Sequence, residues 1–167
     1  RAFLEYAAAK GVEWFVVDSV EEIRKVQSVR ADAKLYLRID APNIGSDWPL
    51  AGKFGAHMND IPELIAAAVD CKADLAGITF HVGSQCRNPE NWRVGIQSAK
   101  RVFKKMRLAG LNPRLLNIGG GYGADYESSK SPPASAYAEA IVPLLRDRVA
   151  PSARGNATTW STSSLMP

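Results

Sequence analysis

Cysteine and histidine are scarce, with two of each in 167 residues. Cys71 and Cys86 have no C-x-x-C spacing and no secretory context. They read as free thiols of a reducing, cytoplasmic compartment and exclude a disulfide scaffold. His57 and His81 lie on different segments, with no carboxylate at ligand spacing, so no metal site is expected. No apolar run approaches the roughly 20 residues of a membrane span. The opening RAFLEYAAAKG reads as an amphipathic helix stopped by Gly11, not as a signal peptide. Charge of one sign is also modest, a net +4. The basic residues of KRVFKKMR share a helix with an apolar face and read as its solvated side. Neither a nucleic-acid nor a membrane partner is expected.

What is present is an alternation of two segment types. VEWFVVD reads as a strand, and SVEEIRKVQ as a helix with Ser19 as N-cap and Glu22 completing a capping box. AKLYLRID is the next strand, followed by a Pro- and Gly-rich loop, APNIGSDWPLAGKFGAHMN. Asp60 and Glu63 predict a second capping box opening the helix IPELIAAAVDCK. ADLAGITFHV is a third strand. Asn88 then caps a long helix with Pro89 in its first turn and Gly110 at its end. Trp92, Ile96, Ala99, Phe103 and Met106 fall on one face of it. PRLLNIGGG is a fourth strand, and ASAYAEAIVPLLRDRV a helix interrupted by Pro143.

The strands read as continuous apolar runs, which predicts a parallel sheet covered by helices. The fold class is therefore α/β, either an open doubly wound sheet or a (β/α) TIM-like barrel. A full barrel takes about 250 residues and eight strands, so a barrel here is partial, with about four parallel strands alternating with helices. Residues 1–150 are expected to form its central part. Residues 151–167, rich in Ser and Thr without periodicity, are expected to be a disordered or out-of-frame tail. A start within a helix, without methionine, predicts a fragment.

Three polar signals fall where strands run out: Arg38 in LYLRID, His81 with Ser84 in FHVGS, and Gly119, Gly120 and Gly121 in LNIGGG. Ligands of parallel α/β folds bind at that end, where the βα loops gather. Successive glycine amides make a concave anion site that suits a phosphate, although a tight turn is the plainer explanation. His81 fits either a hydrogen-bonded core residue or a group that stacks on a ligand. Ser84 lacks the G-x-S-x-G elbow and fits a phosphate donor better than a nucleophile. Arg38 fits either an ion pair with Asp40 or a partner for an anionic or phenolic group. Lys53, in a loop between glycines, reads as structural.

GITFHVGSQC, the capped helix after it and LLNIGGGY together resemble the barrel domain of fold-type III pyridoxal-phosphate decarboxylases. That group includes the ornithine, lysine, diaminopimelate and carboxynorspermidine decarboxylases. FVVDSVEEI, LYLRI and DWPLAGKFG look similar to the same family in the same order, and WPLAGKFG looks closest to its ornithine/lysine branch. The resemblance covers residues 1–148 and implies pyridoxal 5'-phosphate as cofactor and a small amino acid as substrate. It also implies putrescine or cadaverine as product, and a homodimer. By the same resemblance His81 stacks on the pyridine ring, Ser84 and Gly119 to Gly121 hold the phosphate, and Arg38 lies near the cofactor.

The departures are as specific as the matches. The family's Schiff-base lysine would precede Arg1, and its EPGR-like acidic motif and C-terminal β-domain, with the catalytic cysteine, do not occur. Tyr122-Gly123 stands where relatives have Phe-Pro. The expectation is a decarboxylase segment inactive on its own and loosely folded or aggregating, with two open sheet edges. Two alternatives remain. One is a non-catalytic homologue with a binding or regulatory role. The other is an unrelated sugar-phosphate barrel using Asp18 and Asp40.

Overall fold

The computed structural model describes residues 1–146. The elements run α1 (Ala2–Ala9), β1 (Trp14–Val17), α2 (Val20–Val29), β2 (Lys34–Arg38), β3 (Ser46–Trp48) and α3 (Ile61–Asp70). They continue with β4 (Asp74–Thr79), β5 (Ser84–Cys86), α4 (Glu90–Leu108), β6 (Leu115–Asn117) and α5 (Ala134–Arg146). The expectation for residues 151–167 lies outside the described residues.

β1, β2, β4 and β6 form one parallel sheet in that spatial order. Each parallel strand is added beside its predecessor. A doubly wound sheet reverses direction at a switch point, and this one does not, so the order is that of a (β/α) barrel. Among the described residues the helices cover one face. Leu35, Leu37, Ile39, Ile78 and Phe80 are buried there with Trp92, Ile96, Ala99, Phe103 and Met106 of α4. The apolar stripe read for α4 is thus its buried face.

β2 is not the continuous apolar run expected. Leu35 and Leu37 are buried, while Lys34, Tyr36 and Arg38 are half-buried on the opposite face. Register places Tyr36 beside Gly77 and Gly77 beside Leu115, then Arg38 beside Thr79 and Thr79 beside Asn117. Paired residues of parallel strands project to the same side, so these rows line the inner face of the sheet.

Local signals mostly hold. Ser19 Oγ accepts the Glu22 amide at 3.2 Å, although the Glu22 carboxylate pairs with Lys25 instead of closing the box. Asn88 Oδ1 accepts the Glu90 amide at 3.2 Å, but Pro89 and not Asn88 holds the N-cap position of α4, so Asn88 makes its turn one residue ahead of the expected cap. The second box fails: Asp60 occupies the N-cap position with helical backbone angles and makes no side-chain cap bond. A capping side chain reaches its amide from extended backbone, which Asp60 lacks. Two strands were unread. β3 arises inside the Pro/Gly loop and pairs antiparallel with β5, Ser46 opposite Cys86 and Trp48 opposite Ser84. The third strand of the sheet therefore stops at Thr79, and Gly83-Ser84 leads into a new ribbon instead of ending a strand.

Candidate functional site

β4 and β6 end side by side, and their continuations build the site. His81 lies two residues beyond the end of β4, and the Phe80 amide donates to the Asn117 carbonyl at 3.3 Å. The glycine triplet then turns across it. A Cβ on Gly119 would lie 2.3 Å from the Phe80 carbonyl oxygen, and one on Gly121 would lie 1.9 Å from the Gly83 oxygen. Gly119 and Gly121 have φ of +69° and +95°. Only glycine meets both demands, a left-handed backbone and contact of main chain with main chain. Gly120 differs: a Cβ there would meet only His81 Nε2, at 3.9 Å.

This settles what the triplet offers. The Gly119 amide is taken, donating to Asn117 Oδ1 at 2.9 Å. Among the described residues the Gly120 and Gly121 amides have no acceptor. Two free donors beside an imidazole, on a loop whose central residue borders open space, fit a phosphate attached to a flat ring.

His81 is held in a defined form. Its Nδ1 accepts the Gly83 amide at 3.0 Å, which leaves Nε2 to carry the proton of the neutral ring. Burial, and then the Arg38 charge, push its pKa below the ordinary histidine value. A neutral imidazole presents its face to a cationic aromatic ring without charge repulsion.

Arg38 ends β2 and does not pair with Asp40. Its guanidinium lies 4.9 Å from the centre of the Phe54 ring, on the loop that folds back over the strand end. That loop is pinned by the Ala56 amide donating to the Arg38 carbonyl at 2.8 Å. Asp18 Oδ2 accepts the Gly55 amide at 3.1 Å and Asp40 Oδ1 the Ala41 amide at 2.9 Å. Both carboxylates are engaged by backbone, not poised for acid–base work.

The structure thus brings together His81 and Gly119 to Gly121, with Arg38, at the end of the neighbouring β2, near enough for its charge to act on His81. Ser84 begins β5, exposed, and follows directly on Gly83, which abuts Gly121. No contact joins its side chain to the glycines among the described residues. No group of three or more metal-binding side chains occurs among them either. Cys71 and Cys86 are both free thiols. No described helix is long and apolar enough to cross a membrane.

Sequence reasoning missed Asn117, Phe54 and an aromatic cluster of Trp92, Tyr122 and Tyr137. For Asn117 a signal existed: an Asn two residues before a glycine favours an Asx turn. The aromatic cluster had none, because its members come from three separated segments.

A sheet in barrel order with an anion cradle at its carboxyl edge defines the class, a phosphate-binding β/α barrel domain. Residues 1–160 match the family described as pyridoxal-dependent decarboxylase, pyridoxal binding domain, and the chain belongs to that family. Ornithine decarboxylase of Panagrellus redivivus is 37% identical over 123 residues, 73% of this chain and 28% of that protein. Antizyme inhibitor 2 of Xenopus laevis is 34% identical over 119 residues, 71% of this chain and 26% of that protein. The arginine decarboxylase of Paramecium bursaria Chlorella virus, solved with agmatine, superposes with a TM-score of 0.78 at 33% identity. The match covers 86% of this chain and 38% of that one. The chain therefore spans little more than a quarter of the length of its curated relatives. The cofactor of the family is pyridoxal 5'-phosphate, and the free amides beside His81 suit it.

Proposed function

We propose that this chain forms the central, cofactor-holding part of a pyridoxal 5'-phosphate-dependent decarboxylase that acts on a basic amino acid, ornithine or lysine first. The observation that carries the reading is the meeting of the unpaired Gly120 and Gly121 amides with a neutral imidazole. Residues 1–150 make up the barrel part in this reading. The Gly120 and Gly121 N–H groups donate to the phosphate, with Gly119 set in place by Asn117. The Ser84 hydroxyl, next to Gly83, supplies a further donor from the β5 side. His81 stacks on the pyridine ring through its neutral face, and Arg38 lends positive potential to the phenolic edge.

The cofactor supplies the electron sink into which the pair of the breaking carbon–carbon bond passes as carbon dioxide departs. The chain's own residues bind and orient. The glycine amides would hold the phosphate and the His81 imidazole would pack against the ring, so the chain's part would be to bind and orient the reacting group. The expected product is a diamine, putrescine or cadaverine. The expected assembly is a homodimer and the expected location the cytoplasm.

The test is release of carbon dioxide by protein made from the full coding sequence and loaded with pyridoxal 5'-phosphate. L-Ornithine and L-lysine are expected to be turned over. The likeness to antizyme inhibitor 2, whose name describes inhibition and not a reaction, favours a second reading, a regulatory homologue. Cofactor-loaded protein with no carbon dioxide release from ornithine, lysine or arginine would support that second reading.

A further inference from the structure

Two short segments must keep a fixed spacing for the cradle to work: the glycine loop and the β5 ribbon that follows His81. They touch through backbone. The Cys86 amide donates to the Gly121 carbonyl at 2.7 Å, and Cys86 and Tyr122 form a parallel bridge. Gln85 of β5 adds a side-chain pair, its Oε1 accepting the Ala124 amide at 2.8 Å and its Nε2 donating to the Ala124 carbonyl at 3.3 Å. One side chain from outside the two segments spans both. Tyr137, on α5 and 5% exposed, donates its hydroxyl to the Cys86 carbonyl at 2.9 Å and accepts the Gly123 amide at 3.3 Å. Its ring stands edge-on to both Trp92 and Tyr122, with centroids 5.3 Å apart in each case. Trp92 and Tyr122 stack on each other at 4.6 Å and 13°. Trp92 is fully buried in α4 and anchors the stack to the core.

A phenol in a core usually needs one partner for its hydroxyl. This one is used twice, as donor to the residue two positions after Ser84 and as acceptor from the residue two positions after Gly121. We infer that Tyr137 is a positioning residue of the phosphate cradle: its hydroxyl sets the gap between the glycine amides and the His81–Ser84 segment. This rests on the cofactor reading above. Phenylalanine at 137 keeps the ring contacts and the core volume but removes the bridge. The Gly123 amide and the Cys86 carbonyl then each lose their Tyr137 partner. The glycine loop is then held to β5 only by the Cys86–Gly121 backbone bond and the Gln85–Ala124 pair, its spacing is less tightly set, and only the part of the ligand that needs the cradle suffers.

The experiment titrates wild type, Tyr137→Phe and Gly123→Ala, each made from the full coding sequence, with pyridoxal 5'-phosphate and with pyridoxal, which lacks the phosphate. Gly123→Ala attacks the same bridge from the loop side. Its Cβ would lie 2.4 Å from Ser131 Oγ and 3.2 Å from the Tyr137 hydroxyl. Binding is followed by ring absorbance, and the phosphate separately by its 31P resonance. Circular-dichroism melts confirm folding at the titration temperature. The expected result is about a tenfold weaker affinity for pyridoxal 5'-phosphate in both variants, as for a lost hydrogen-bonded position worth about one decade. Pyridoxal affinity should stay unchanged, and the bound 31P resonance should shift toward that of free ligand. Equal loss for both ligands, or no loss in folded Tyr137→Phe, overturns the assignment. If Tyr137→Phe does not fold, Gly123→Ala alone decides. A wild type that does not prefer the phosphorylated ligand overturns the cofactor reading itself.

Discussion

Individual positions in this chain are constrained by backbone more than by side-chain chemistry. Gly121 and Gly11 make the contrast. Both have positive φ, but a Cβ on Gly11 meets nothing within 4 Å, whereas on Gly121 it collides with the Gly83 carbonyl. Gly11→Ala is therefore expected to cost about 1–2 kcal/mol, the left-handed penalty alone. Gly121→Ala adds a clash and should cost on the order of 3 kcal/mol or more, with loss of cofactor binding. Urea unfolding of the two variants separates the cases. His81 supplies a second prediction. Burial and Arg38 lower its pKa in the fold, so the unfolded chain takes up its proton first as pH falls. Its contribution to stability is thus complete above the ordinary value of 6.5 and declines as pH drops below it. Removing the nearby charge with Arg38→Gln should move the His81 midpoint upward in an NMR titration.

Elements show how local signals and packing divide the work. Ser19 and Asp60 looked equivalent as caps. Only Ser19 makes the bond, so Ser19→Ala should cost about 1 kcal/mol in thermal unfolding and Asp60→Ala a few tenths. α4 gives the opposite lesson. Gly95 sits inside a 19-residue helix, where alanine is ordinarily better by about 0.5–1 kcal/mol. Here a Cβ would lie 2.5 to 2.7 Å from three ring atoms of Phe80, itself fully buried on the strand side. Overpacking of about 1–3 kcal/mol exceeds the helical gain, so Gly95→Ala should destabilise. The glycine lets α4 approach Phe80, whose carbonyl lies so close to Gly119 that no side chain fits between them. A helix contact on the outer face thus helps fix the cradle on the inner edge.

The whole sheet leaves β1 and β6 paired on one side only among the described residues, and its inner face carries Tyr36, half-buried, and Val16, 44% exposed. Unpaired parallel edges recruit further strands. This polypeptide on its own is expected to self-associate with rising concentration in sedimentation velocity. A monodisperse monomer with a sharp, reversible melt would overturn that.

The type and chain positions of the four parallel strands, the long helix with its buried stripe, the Ser19 cap and the strand-end location of Arg38, His81 and the glycines were all legible in the residues. They depend on periodicities and hydrogen bonds that reach about four positions along the chain, and a chain carries those wherever it goes. Other features came only from three-dimensional packing: the pairing of β3 with β5, the engagement of Asp18 and Asp40 by backbone, the selective freedom of the Gly120 and Gly121 amides, and the clasp made by Tyr137. Each joins segments distant in sequence through a particular register, and register is set by how the layers pack, not by any local pattern.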